Sequence, residues 1–134
     1  MSFFKNIFNS SDADKGEKGS QEALNWKVLQ TEEALEALTK TSEEKPVIIF
    51  KHSTSCSISA MAKNRLERNW QVPADKADVY YLDLIAFRNV SNKIAEKFSV
   101  MHASPQVLVI KNGEAVYDNS HYGIEAGEIA KLLD

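Results

Sequence analysis

The 134-residue sequence is poor in cysteine, and this scarcity excludes several kinds of site. Cys56 is the sole cysteine, so no disulfide can form within one chain. A Cys-x-x-Cys redox pair and a cysteine-rich zinc site are excluded for the same reason. The three histidines, His52, His102 and His121, stand too far apart in the sequence to indicate a ligand set. We therefore expect no metal site.

Three other features are missing from the sequence. Sixteen Lys and Arg residues against nineteen Asp and Glu residues give a net charge of −3, without the basic excess typical of general nucleic-acid binders. Neither of the glycine-rich loops that cradle dinucleotides or nucleoside triphosphates occurs. No apolar run approaches the ~18 residues of a membrane span, and the first eight residues lack a signal-peptide core. We expect a cytoplasmic protein that binds no nucleic acid.

The amino-terminal segment differs in composition from the rest of the chain. Residues 9–23 are mostly Ser, Asp, Lys, Gly, Glu and Gln, which bury too little apolar surface to offset the entropy lost on ordering. We interpret residues 1–24 as a flexible tail. The apolar residues among the first eight either form a small docking or membrane-touching element or pack locally or fray. Residues 25–134 form one domain, long enough to bury a core without a disulfide or metal.

The domain alternates between strand and helix patterns. Strands are predicted at 26–29, 47–50, 79–84, 106–111 and 114–117, and helices near 31–38, 57–70, 91–98 and 124–133. Right-handed crossovers make the first three strands parallel, and the Asn112-Gly113 turn adds an antiparallel hairpin. Helices should cover both faces of the resulting α/β sheet.

Two patterns place side chains within this arrangement. The unbroken apolar run from Val47 to Phe50 is typical of a strand buried on both faces. The helix that follows residues 53–55 is expected to face inward through Ile58, Met61, Ala62, Leu66 and Trp70. Its outward side chains are expected to be Lys63, Asn64, Glu67 and Arg68.

Cys56 lies where a central strand ends and a helix begins. In open α/β sheets, ligands bind outside the carboxyl ends of strands. A thiol in the first turn of a helix faces unpaired backbone N–H groups and the positive end of the helix dipole, both of which favour the thiolate. The alternative is a small buried hydrophobe, the usual role of a single cysteine. The hydroxyl-rich surroundings of Cys56 argue against that alternative.

Ser59 and the Ser104-Pro105 pair are two further candidates. Ser59 occupies the position of the resolving cysteine in dithiol motifs, and its hydroxyl either hydrogen-bonds a thiolate or serves only structure. Any redox cycle must then use one protein thiol and an external resolving thiol. Pro105 suits the first position of a strand, because it cannot donate to the ladder. A cis bond would turn Ser104 towards the Cys56 loop, whereas a trans bond is the commoner form.

Together these elements resemble the thioredoxin superfamily over roughly residues 25–134. The resemblance rests on the order of elements, on one cysteine after the second strand, and on Ser104-Pro105 before the fourth strand. It implies a thioredoxin-like α/β fold with sheet order 1-3-2-4-5, helices on both faces and a cis bond at Pro105.

The segment around Cys56 is similar to the YtxJ-like monothiol bacilliredoxins, whose usual pattern is Thr-Cys-Pro-Ile-Ser. Cys56, Ile58 and Ser59 match this pattern, whereas Ser55 replaces the Thr and Ser57 replaces the Pro. The departure at Ser57 leaves open the redox poise and the identity of the low-molecular-weight thiol.

The resemblance implies a thiol–disulfide oxidoreductase that removes bacillithiol, a cysteinyl-glucosamine-malate thiol, from S-thiolated cytosolic proteins of bacteria. Cys56 would accept the bacillithiol adduct, with Ser59 beside it, and free bacillithiol would act as co-substrate rather than as a tightly bound cofactor. The residues expected to contact substrate are Ser55, Ser57, Ser104 and Pro105.

Malate carboxylates would call for cationic groups near Cys56. The candidates for binding an anion are Lys51, His52, Arg65, Arg88 and His102, each of which is alternatively an ordinary solvated side chain. Phe50 stands six positions before the nucleophile, where thioredoxins carry a buried acidic residue, so that proton-handling group is missing.

Two other functions stay open. A monothiol glutaredoxin-like iron–sulfur carrier would use one cysteine per subunit plus an external thiol in a dimer, but that family shows Cys-Gly-Phe-Ser, which Ser57-Ile58 does not match. A thioredoxin-fold interaction module without turnover, docking through the Phe-rich amino terminus, would need no reactive Cys56.

Overall fold

The structure is a computed structural model and describes residues 24–133. The proposed tail, apart from Leu24, lies outside this part of the chain, as do the apolar residues among the first eight and Asp134. The strands are β1 (Lys27–Val28), β2 (Val47–His52), β3 (Asp78–Asp83), β4 (Gln106–Lys111) and β5 (Glu114–Ser120). The helices are α1 (Glu32–Thr41), α2 (Ser57–Arg68), α3 (Arg88–Phe98) and α4 (Ala126–Lys131), with a 3₁₀ turn at His121–Gly123. The predicted order of elements is confirmed.

The five strands form one mixed sheet in the order β1-β3-β2-β4-β5, which confirms the expected order 1-3-2-4-5. β1 and β2 both run parallel to β3, whereas β4 runs antiparallel to β2 and β5 runs antiparallel to β4. β2 has a partner on each side, and all six of its residues are buried. The central position explains why its sequence begins with four apolar residues without alternation.

Helices cover both faces of the sheet, as expected. On one face, Ile48 and Phe50 of β2 pack into a core with residues of α2 and α4. On the other, Val47 and Ile49 pack into a second core with residues of α1 and α3. Successive side chains of a strand point to opposite faces, so β2 contributes to both cores.

Short sequence signals fix two local structures. Thr31 caps α1, where its Oγ1 accepts the Ala34 N–H at 3.0 Å. Asn112 and Gly113 have φ angles of 53° and 77°, the left-handed backbone that a tight two-residue hairpin needs. The Gly113 N–H also donates to Ser42 Oγ at 2.8 Å, which joins the hairpin tip to the end of α1.

The expected inner face of α2 is wrong at two positions. Ile58 and Met61 are 40% and 59% exposed, whereas Ser59, Ala62 and Leu66 are the buried residues of the helix. The buried stripe follows the spacing i, i+3, i+7 from Ser59, and a shift of one residue rotates a helical side chain by about 100°. A serine therefore occupies the place at the sheet that the pattern assigned to apolar side chains.

The outer face of α2 also differs from the expectation. Lys63 and Glu67 are half-buried, because Trp26 covers them. Trp26 Nε1 donates to Glu67 Oε2 at 2.6 Å, and Lys63 Nζ lies 2.7 Å from the same carboxylate oxygen and 5.6 Å from the Trp26 ring centroid. This cluster joins α2 to the segment that leads into β1.

Several element boundaries differ from the predicted ones, most clearly in α3, β5 and α4. α3 begins at Arg88 rather than at 91, β5 continues to Ser120, and α4 is shorter than predicted at both ends. Among residues 24–133, no helix combines the length and the apolar character needed to cross a membrane.

Candidate functional site

Cys56 is the N-cap of α2, one residue before the first turn in which the sequence placed it. Its backbone is extended, with φ −113° and ψ 122°, and its N–H donates to Ser53 O at 3.1 Å. The thiol is partly exposed and, within the described residues, makes no capping hydrogen bond to α2. The first N–H groups of a helix have no partner within it, so the sulfur lies at the positive end of the helix dipole.

Ser59 is fully buried and fixes the loop that precedes α2. Its Oγ accepts the Ser53 N–H at 3.0 Å and lies 2.6 Å from His52 Nδ1. In the part of the chain described here, no hydrogen bond joins Ser59 to Cys56. The hydroxyl therefore holds the end of β2 against the start of α2.

His52 lies on the α2 face of the sheet and is nearly buried. Its ring is stacked with Phe50 at a centroid distance of 6.0 Å and lies 5.5 Å from the Tyr81 ring. Burial lowers the pKa of His52, the Lys63 charge lowers it further, and the carboxylates of Asp83 and Glu67 oppose both effects. Because the net shift is downward, His52 is neutral at pH 7.

Lys51 points to the opposite face of the sheet, the one covered by α1 and α3. The side chain is fully buried, and its Nζ has no hydrogen-bond partner among residues 24–133. Burial lowers the pKa of Lys51 from 10.5 to about 8. Lys51 is therefore not the solvated side chain that the sequence left as an alternative.

The remaining candidate cations have different surroundings. Arg65 donates to the carbonyl oxygens of His121 and Ile124, each at 3.1 Å, and so holds the 3₁₀ turn against α2. His102 and Arg88 lie on the α3 face with Lys51. Burial, followed by the charges of Lys51 and Arg88, lowers the pKa of His102. Three of the five candidates therefore lie on the α3 face, whereas His52 and Arg65 lie on the α2 side of the sheet.

The Ser104–Pro105 peptide bond is cis, as the resemblance implied. Pro105 O accepts the His121 N–H at 3.1 Å, and Ser104 Oγ is buried without a partner in the described chain. β4 starts directly after Pro105, with Gln106 opposite Lys51 in β2. Because β4 and β2 are antiparallel, the start of β4 and the end of β2 lie at the same edge of the sheet. The Ser104-Pro105 loop, which precedes β4, and the Cys56 loop, which follows β2, therefore lie at that edge.

Ser55 and Ser57 flank Cys56 in the sequence, and both are exposed. Ser55 Oγ lies 3.5 Å from Ser53 Oγ, and Ser57 is the first residue of α2. Exposed Ile58 follows Ser57 on the same turn. The side of Cys56 that faces away from the sheet is therefore open to solvent.

Comparison with protein families identifies the class to which this site belongs. The family model described as monothiol bacilliredoxin BrxC matches residues 27–129, which include Cys56, Ser59 and Pro105. The chain belongs to the monothiol bacilliredoxin family. A thiol-based redox function follows from this membership together with the thioredoxin-like fold.

Solved structures agree with the fold of this bacilliredoxin. One, described as a candidate oxidoreductase with a thioredoxin fold, is 32% identical, covers 80% of this chain and 92% of its own, and superposes with a TM-score of 0.68. Thioredoxin from Malassezia sympodialis is 19% identical, with a TM-score of 0.63 over 81% of this chain and 88% of its own. Thioredoxin from Fasciola hepatica is 20% identical, with a TM-score of 0.57 over 79% of this chain and 94% of its own. The two thioredoxins share the fold.

The bacilliredoxin site holds one sulfur and a hydroxyl in the place of a second. Cys56 can accept a disulfide partner, whereas Ser59 cannot release that partner by forming an internal disulfide. Phe50, six residues before Cys56, is fully buried in the apolar core of the α2 face. Because Cys56 is the sole cysteine of the sequence, a partner held by a disulfide at Cys56 has to be released by a second thiol outside the chain.

Two polar residues near the site were not found from the sequence. Ser91 is fully buried on α3, with its Oγ 3.4 Å from His102 Nδ1, and Gln106 is buried beside Lys51. The sequence contains a signal for each of these residues. Ser91 interrupts the apolar stripe of α3, and Gln106 is a polar residue at the start of an apolar strand directly after Pro105.

Proposed function

We propose that this bacilliredoxin removes bacillithiol from S-thiolated proteins of the bacterial cytosol by exchange at Cys56. The observation that supports the proposal is the partly exposed Cys56 at the N-terminus of α2, with buried Ser59 three residues later. A lone sulfur in this position suits a cycle in which the protein holds one adduct and then surrenders it.

The proposed cycle has two exchanges. The Cys56 thiolate attacks the bacillithiol sulfur of a protein–bacillithiol mixed disulfide, which forms a Cys56–bacillithiol disulfide and releases the substrate protein as a thiolate. The thiolate of free bacillithiol then attacks the bound bacillithiol sulfur, which releases Cys56 as a thiolate and forms bacillithiol disulfide. The second bacillithiol supplies the electron pair that reduces the substrate, and each released thiolate takes a proton from water.

The surroundings of Cys56 support this chemistry in two ways. The open helix terminus stabilises negative charge on the sulfur both when Cys56 attacks and when it leaves. Exposed Ser55 and Ser57, together with the Ser104-Pro105 loop at the same edge of the sheet, offer polar groups on the side where a substrate disulfide must approach.

Intact mass spectrometry of the reduced protein mixed with a bacillithiolated peptide tests the proposal. We expect the protein to gain the mass of one bacillithiol less two hydrogens while the peptide loses its adduct. Addition of free bacillithiol should then restore the unmodified mass. Cys56→Ser should show neither change, and Lys93→Ala, on α3 and outside the proposed exchange site, should show both.

Two results would contradict the proposal. One is a wild-type protein that takes no adduct from the peptide. The other is a coloured, Cys56-dependent dimer after anaerobic reconstitution with iron and sulfide, combined with no de-thiolation, which would favour the iron–sulfur carrier.

A further inference from the structure

Among the described residues, the charge of Lys51 has no counterpart. Within the described chain, Nζ makes neither a hydrogen bond nor an ion pair, although the side chain is fully buried. Over residues 24–133, the two other buried polar side-chain atoms without a partner are Gln106 Oε1 and Ser104 Oγ, which are neutral. Gln106 lies opposite Lys51 in the sheet, and its amide nitrogen already donates to Met101 O at 2.9 Å. A buried cation without a partner is costly, which favours a functional reason for keeping it.

The N-terminus of α3 lies beside Lys51. α3 follows β3 and returns along the sheet, so its first turn stands over the carboxyl ends of the parallel strands, where Lys51 lies near the end of β2. Ser91 in this turn is fully buried and reaches His102 Nδ1 at 3.4 Å. This contact brings His102 to the turn that Arg88 begins, and the charges of Lys51 and Arg88 both lower the pKa of His102.

The same helix terminus is open to an anion. Phe87, the N-cap, provides no side-chain cap, and the first turn holds no acidic residue. Over residues 24–133, the N–H groups of Arg88 and Asn89 have no hydrogen-bond acceptor. Free N–H groups at the positive end of a helix dipole bind anions.

Two carboxylates lie near this terminus, and both have other partners. Asp83 Oδ1 accepts the N–H groups of Ile85 and Ala86 at 3.1 and 3.2 Å. Glu32 Oε2 accepts from Asn89 Nδ2 at 3.3 Å, on the exposed side of the turn. Neither carboxylate is hydrogen-bonded or ion-paired to Lys51 Nζ.

We propose that the first turn of α3 binds a carboxylate group of the low-molecular-weight thiol. The backbone N–H groups and the exposed Arg88 and His102 contact the carboxylate, and Lys51 supplies positive potential from beneath. The identity of the ligand, a malate-bearing thiol, rests on the proposed function. The site itself rests on the uncompensated buried lysine beside an open helix terminus.

Titration of the Cys56→Ser protein with sodium L-malate, against sodium chloride of equal ionic strength, tests the site without any exchange chemistry. NMR should show saturable shifts of the Arg88 and Asn89 amides and an upward shift of the His102 pKa. Loss of one charge-assisted contact should weaken binding by about tenfold in Arg88→Ala. Lys51→Met, of similar length, should also weaken it, and Lys93→Ala further along α3 should not.

Absence of malate-specific shifts at α3, or equal affinity in Lys51→Met, Arg88→Ala and wild type, would overturn the inference. A second measurement compares the rates at which Cys56 reacts with bacillithiol disulfide and with uncharged hydroxyethyl disulfide. We expect Arg88→Ala to slow the first reaction by roughly three- to tenfold and to leave the second unchanged. Equal slowing of both reactions would assign Arg88 to the reactivity of Cys56 and also overturn the inference.

These experiments separate the two proposals. Malate binding at α3 without transfer of bacillithiol would refute the proposed function and leave an organic-acid site. Transfer of bacillithiol without malate binding at α3 would refute the site and leave the proposed function.

Discussion

His52 Nδ1 lies 2.6 Å from Ser59 Oγ, across the loop that carries Cys56. Ser59 thus occupies the place of a second redox sulfur and uses its hydroxyl to connect the last residue of β2 with the first turn of α2. The Ser53 N–H completes this connection. The residue that replaces the resolving thiol is therefore part of the framework that positions the remaining one.

Replacement of Ser59 by alanine should destabilise the protein by about 1–3 kcal/mol, because the Ser53 N–H and His52 lose their common buried partner. Urea unfolding measures the change. Exposed Ser57, two residues away, is the matched control, and Ser57→Ala should shift the free energy of unfolding by less than about 0.5 kcal/mol. Equal effects of the two changes would show that the buried hydrogen bonds contribute nothing.

Stability should fall in mild acid through His52. Burial lowers the pKa of His52 in the folded state below its ordinary value of 6.5. Between the folded-state pKa and pH 6.5, the unfolded state therefore binds more protons than the folded state. The contribution of neutral His52 is complete above pH 6.5 and is lost as the pH falls through the folded-state pKa. The difference in free energy of unfolding between wild type and His52→Phe, measured from pH 7.5 downward, should change across this window. A constant difference would argue against a buried neutral imidazole.

Lys51→Met should stabilise the protein at pH 7. Burial lowers the pKa of Lys51 from 10.5 to about 8, so the unfolded state holds more protons between these values and wild-type stability rises with pH across that range. Since one pKa unit corresponds to ~1.4 kcal/mol, removal of this charge by Lys51→Met should raise the free energy of unfolding at pH 7 by at most about 3 kcal/mol.

The advantage of Lys51→Met should disappear towards pH 10.5, where the wild-type lysine is neutral in both states. Urea unfolding of both proteins at pH 7 and pH 10 measures the difference. Lys93→Met, on the exposed side of α3, serves as the control and should show no such convergence. A Lys51→Met protein less stable than wild type at pH 7 would mean that the ammonium has a stabilising partner.

The side of α2 that faces the sheet gives a further prediction. Leu66→Ala should cost about 2–5 kcal/mol, because Leu66 is 1% exposed in the core of the α2 face. Met61→Ala should cost less than about 1 kcal/mol, because Met61 is 59% exposed. Thermal or urea unfolding of the two variants distinguishes this arrangement from the one the sequence predicted, in which both residues are buried.

The fold could be predicted because its strongest signals are local. The apolar run from Val47, the cap at Thr31 and the turn at Asn112-Gly113 each specify an element with little help from the rest of the chain. The position of Cys56 between a strand and a helix could be predicted in the same way, since the change in hydrophobic period marks the junction of the two elements.

The parts that could not be predicted depend on tertiary contacts. The amphipathic pattern of α2 is ambiguous by one residue, and only the sheet decides that Ser59 rather than Ile58 faces inward. Residue type predicts an exposed lysine, yet Lys51 is buried because β2 is central and α3 lies over its end. Such placements arise from packing between elements distant in sequence.

The two outer edges of the sheet differ in length. β1 pairs through two residues, whereas β5 is a seven-residue strand on which exposed Glu114, Val116 and Asp118 alternate with more buried positions. The register between β4 and β5 shifts between Val109 and Ile110, so Val116 has no partner in the ladder and forms a bulge in this edge strand. A bulge interrupts regular pairing with a further strand, so this edge discourages fibril-like growth of the sheet.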